Sequence, residues 1–145
     1  FRTVCVAGSR DPIFIANVDS ILDSVRIRVD QILSREGLAG SVHVHVYGKN
    51  GVMGALEPEK TVRAHELGLV IESVAPTQEQ ANTLCSITRS TLLHFGYPGR
   101  ISTAGNLAFP FSPSDIPAGG VYEFSIYHLM PVADPADFPI TVAEV

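Results

Sequence analysis

Tryptophan is absent from the 145 residues, and cysteine and methionine occur only twice each. The lack of tryptophan, and of any stretch in which basic and aromatic residues interleave, argues against a stacking platform for nucleic acid. Positive charge is also scarce. Ten Lys and Arg face fifteen Asp and Glu, a net charge of −5, which argues against non-specific nucleic-acid binding. No apolar run comes near the ~20 residues of a membrane span and no signal peptide is visible, so a soluble protein is expected. Cys5 and Cys85 sit in apolar surroundings and read as reduced packing residues of a cytoplasmic protein. No Gly-x-Ser-x-Gly elbow occurs and no Cys/His pairing is suggested by spacing, so nucleophilic catalysis has little support.

What the chain has is apolar mass. Hydrophobic residues make up 46% of it, which excludes disorder. One domain of 15.5 kDa should hide roughly 15,000 Å² on folding, enough for a core without metal or disulfide staples.

Residues 1–7 read as a short buried strand that closes on Gly8-Ser9-Arg10-Asp11-Pro12. A long helix follows, with Val18, Ile21, Leu22, Val25, Val29, Ile32 and Leu33 on one stripe and Gly37 as its stop. Residues 41–47 alternate strictly: Val42, Val44 and Val46 point one way, His43, His45 and Tyr47 the other. Gly48-Lys49-Asn50-Gly51 opens a long connection to about residue 64, and residues 66–74 read as a central strand, apolar on both faces. Thr77 and Gln80 form a capping box for a second helix, striped by Ala81, Leu84, Cys85, Thr88, Leu92 and Phe95 and stopped by Gly96. Residues 98–120 hold too much Pro and Gly for a regular element. The last strand is expected over 121–130, where Tyr122, Phe124, Ile126 and His128 alternate with Glu123, Ser125 and Tyr127. Residues 131–145, with Pro131, Pro135 and Pro139, read as a Pro-rich acidic tail that leaves the 1–130 domain or clasps a neighbour.

That order predicts an α+β, ferredoxin-like βαββαβ sandwich: a four-stranded antiparallel sheet with two helices on one face. In such a plan the turn at 8–12, the connection at 48–64 and the loop at 98–120 emerge at one end. Loops of this length in a compact domain point to a job, so any site is expected there. Gly8-Ser9 would lead into a helix start suited to an anion. Arg10, Lys49 and Arg100 would converge on an anionic small molecule, with Asn50 and Asn106 orienting it. Asp11 reads equally as a plain helix cap. Phe109-Pro110-Phe111 could wall a pocket or bury itself under another domain. His43 and His45 share a face, but alternation alone generates that spacing. No metal is assigned to them, and a packed or interface-facing pair is the expectation.

Three of these segments resemble the C-terminal portion of acyclic terpene utilisation (AtuA-type) family proteins. They are Gly8-Ser9-Arg10-Asp11-Pro12, Tyr47-Gly48-Lys49-Asn50-Gly51-Val52-Met53-Gly54 and Gly105-Asn106-Leu107-Ala108-Phe109-Pro110-Phe111-Ser112-Pro113-Ser114-Asp115. Members of that family are usually longer, so the resemblance implies a C-terminal piece that works with a larger N-terminal α/β region or another subunit. It also implies a place in the catabolism of terpenoid or branched acids, often as acyl-CoA thioesters. It carries over no catalytic residue and no cofactor.

Two readings follow. In the first, the chain is the ligand-facing domain of an acyl-CoA or organic-acid catabolic protein, holding an anion through Ser9, Arg10, Asp11, Lys49, Asn50, Arg100 and Asn106, with activity of the domain alone left open. In the second it is a non-catalytic assembly domain that uses the open sheet face to form a homo-oligomer.

Overall fold

In the computed structural model, which describes residues 1–101, 105–134, 136, 138 and 140–143, four strands and three helices form the body of the chain. The strands are β1 (Arg2–Ser9), β2 (Ser41–Tyr47), β3 (Leu67–Val74) and β4 (Asp115–Gly119). The helices are α1 (Pro12–Ala16), α2 (Val18–Glu36) and α3 (Gln78–His94), with a short 3₁₀ turn at Gly54–Leu56. The strands make one antiparallel sheet in the order β2-β3-β1-β4, so the expected α+β class and four-stranded antiparallel sheet are both present.

Period-2 alternation sets the sheet's two faces. Thr3, Cys5, Ala7 and Ser9 of β1 and Leu67, Leu69, Ile71 and Ser73 of β3 are buried, and Val42, Val44 and Val46 of β2 lie in register with them. Helix α3 covers this face across β1, β3 and β4, and α2 packs beside α3. The α2 stripe buries Val18, Ile21, Val25, Val29 and Leu33, and Gly37 ends the helix at φ 63°, the left-handed conformation that favours glycine. Thr77 Oγ1 accepts from the Gln80 N–H at 3.2 Å and starts α3, so the Thr77 half of the capping box forms, while Gln80 Oε1 has no hydrogen-bond partner among the described residues.

The structure differs from the sequence reading in two places. The first helix is broken at Asn17, whose backbone leaves helical geometry (φ −116°, ψ 15°) while its side-chain amide donates to Ile13 O at 2.9 Å. The last strand is Asp115–Gly119, not 121–130. Helix α3 decides this by tying down both ends of β4. Arg89 Nε donates to Asp115 Oδ1 at 2.7 Å, and Gln78 Oε1 accepts from the Gly119 N–H at 3.2 Å. Pro117 fits because β4 is an edge strand. Gly119, at φ 82°, turns the chain away, and residues 121–130 continue without strand pairing among the described residues. Among those residues no helix is long and apolar enough to cross a membrane.

Candidate functional site

Strand register gathers the irregular segments. Ser9 pairs with Leu67 and Tyr47 with Gly68, so the exits of β1 and β2 and the entry to β3 share one end of the sheet. The chain around Ala108 reaches the same end: Gly8 and Ala108 exchange two backbone hydrogen bonds, each 2.8 Å. Around this junction Ser9, Arg10, Asp11, Tyr97, Asn106 and Ala108 line a cavity of about 260 Å³. A neighbouring cavity of about 390 Å³ shares Ser9 and Arg10 and adds Glu66 and Gly68.

Asn106 is built into the end of α3. Its side-chain amide donates to Leu92 O at 3.0 Å and Phe95 O at 2.7 Å, and its backbone N–H to Leu93 O at 2.8 Å. These bonds satisfy carbonyls that a helix end leaves open. Among the described residues the amide oxygen then has no hydrogen-bond partner, and neither does the Ser9 hydroxyl. Both residues are almost covered, 7% and 5% exposed.

Asp11 caps α1, accepting from the Ile13 N–H at 2.9 Å and from the Tyr97 hydroxyl at 2.5 Å. The bond from Tyr97 is the main cause holding the Asp11 carboxyl below its ordinary range. Burial, with Asp11 beside it, pushes Tyr97 up to about 12, so Tyr97 keeps its proton and donates it. The Tyr97 ring stands edge-on to Phe14 at 5.9 Å. The expected anion seat at the helix start is therefore not formed: α1 has only five residues, and the carboxylate of Asp11 itself occupies its start.

The three expected cations share an end of the sheet but not a cavity. Lys49 is ion-paired to Asp19 of α2, and with Asn50 it lines a separate cavity of about 280 Å³ beside Glu57 and Lys60. Arg100 donates from Nη1 to His94 O at 3.3 Å, and its charge opposes the upward shift of Tyr97. Of the three, Arg10 alone is exposed and without an ion-pair or hydrogen-bond partner among the described residues. Ser9, Arg10, Asp11 and Asn106 thus meet at one cavity, with Arg100 beside Tyr97, while Lys49 and Asn50 lie elsewhere.

Sequence reasoning missed Tyr97. The available signal was a large aromatic inside the breaker run Gly96-Tyr97-Pro98-Gly99 directly after a helix. Phe109, expected to wall a pocket, carries the Arg89 guanidinium over its ring at 5.9 Å. His43 and His45 meet edge-on at 4.4 Å, and His45 Nε2 lies 3.1 Å from Glu72 Oε2. Among the described residues no group of three or more His, Cys, Asp or Glu is placed to hold a metal ion. Cys5 and Cys85 are fully buried, and burial is the main cause pushing their thiols up to about 11 and about 12, so neither is a thiolate at neutral pH. Comparisons with protein-family models, curated proteins and solved structures return no match.

Proposed function

We propose that the Ser9–Arg10–Asn106 cavity binds the anionic group of a small organic acid or acyl thioester. The observation that carries this reading is the pair of buried, unpartnered oxygens, Ser9 Oγ and Asn106 Oδ1, beside a guanidinium that also lacks a partner. A buried polar group left unmade costs about 1–3 kcal/mol, which a bound ligand relieves. Arg10 supplies a planar fork for a carboxylate. Asn106 Oδ1 only accepts, so it favours a ligand with a hydroxyl or N–H next to the anionic group. Ser9 reaches the ligand by rotating its hydroxyl towards the cavity and serves as donor or acceptor.

Two of the segments that resemble the AtuA-type family surround this cavity. That supports the larger reading of a ligand-facing domain in a cytoplasmic catabolic protein acting on terpenoid or branched acids. Since the cavity holds no paired nucleophile and base, we assign it binding and orientation, with the chemistry placed in an adjoining region or subunit. A strand order of β4-β1-β3-β2, with α2 and α3 beside the same buried sheet face, supports the ferredoxin-like assignment.

Calorimetric titration with a branched 3-hydroxy acid, its coenzyme A thioester and inorganic phosphate separates the ligand classes. The hydroxy acid or its thioester should bind, and Arg10→Ala should weaken it at least tenfold. Binding that survives Arg10→Ala, or no binding by any of the three, overturns the reading.

A further inference from the structure

The outer edge of β2 and the segment 121–130 are each half of a strand pair. β2 is the terminal strand of the sheet, and among the described residues nothing pairs with its outer side. Its sequence, Ser41-Val42-His43-Val44-His45-Val46-Tyr47, has none of the Lys, Pro or bulge devices that blunt a free edge. Between this edge and α2 lies a groove of about 590 Å³, lined by apolar Leu22, Val25, Val29, Val42 and Val44 and by the charged Asp19, Asp23, Arg26 and Asp30. The 121–130 segment carries the complementary pattern. Tyr122, Phe124 and Ile126 are 94%, 88% and 77% exposed, and Glu123, Ser125 and Tyr127 alternate with them.

We propose that residues 121–130 of one copy add as a fifth strand to the β2 edge of a second copy. Tyr122, Phe124 and Ile126 would enter the α2–β2 groove, leaving Glu123 and Ser125 on the face of His43 and His45. Chain geometry excludes the arm's own sheet, and the presence of both arm and edge in every copy points to a second copy. Val121 follows the end of β4 by two residues, a reach of about 7 Å. The outer side of β2 lies four strand spacings from β4, roughly 19 Å. Pairing along the whole segment is therefore impossible within one chain. A stable interface needs about 1,200–2,000 Å² in total, which two reciprocal arms can supply in a closed two-fold dimer. None of this depends on the proposed ligand cavity.

Sedimentation velocity of the full chain, with amide hydrogen exchange, tests the exchange of arms. The wild type should be a dimer with slowed exchange in both 41–47 and 121–130. The double variant Phe124→Asp/Ile126→Asp should be a monomer with unchanged circular dichroism, because neither side chain belongs to the core. A monomeric wild type, a dimer that survives the double variant, or a dimer whose β2 amides exchange freely (the arm then lying on the open sheet face) overturns the proposal.

Discussion

Asn106 gives one amide hydrogen to Phe95 O at 2.7 Å and the other to Leu92 O at 3.0 Å, and so fixes which way its carbonyl faces. The same residue thereby closes α3 and leaves an unpartnered acceptor beside the cavity.

Asn106→Ala should therefore cost stability as well as binding. The Phe95 carbonyl loses its side-chain donor and the Leu92 carbonyl keeps only the Phe95 N–H at 3.3 Å, for an expected loss of about 1–2 kcal/mol in urea unfolding. Asn106→Asp should cost at least as much, since a carboxylate there has no hydrogen to give. A variant with wild-type stability would show that other groups satisfy those carbonyls.

Acid should weaken the fold through two carboxyls. Asp11 is held low chiefly by Tyr97, and Glu72 chiefly by the hydrogen bond from His45, with Arg2 adding its charge. A carboxyl lowered in the folded state stabilises above its unfolded pKa, and that contribution is lost as pH falls through the folded pKa. Thermal unfolding followed from pH 7 downward should thus show the melting temperature falling below about pH 4, near ordinary carboxyl values. In Tyr97→Phe the Asp11 contribution shrinks to what the Ile13 and Phe14 N–H groups supply, so the acid-side decline becomes shallower. An unchanged slope would remove Tyr97 as the cause.

Arg89 and Asp115 hold β4 in place, half-buried, with Cys5 and Cys85 close to the pair. Arg89→Ala leaves the Asp115 carboxylate without its partner and should destabilise by about 2 kcal/mol, less than for a fully buried pair. Hydrogen exchange should quicken in 115–119 before it does in β3. Equal quickening throughout the sheet would mean that the pair does not anchor this strand specifically.

How much of this was legible in the sequence depended on whether the signal was local. The α2 stripe, the Thr77 cap and the left-handed Gly37 are set by spacing and backbone chemistry within one element, and each appears where it was read. The alternation of β2 gave its faces correctly for the same reason. The last strand was misplaced because its position is set across the fold, by Arg89 and Gln78 of α3 reaching Asp115 and Gly119. The alternation at 121–130 belongs to a segment that pairs with no strand among the described residues. At the site, topology brought the loops to one end, but it could not show that Asp19 holds Lys49 or that Tyr97 spans to Asp11. Both are long-range side-chain contacts with no trace in local pattern.

The most direct measurement is amide chemical-shift mapping during titration with a branched hydroxy acid. Shifts concentrated at residues 8–11 and 105–108, absent in Arg10→Ala, are the predicted result. Shifts concentrated at Lys49 and Asn50 instead, or a spectrum that does not move, would contradict a binding site built on Ser9, Arg10 and Asn106.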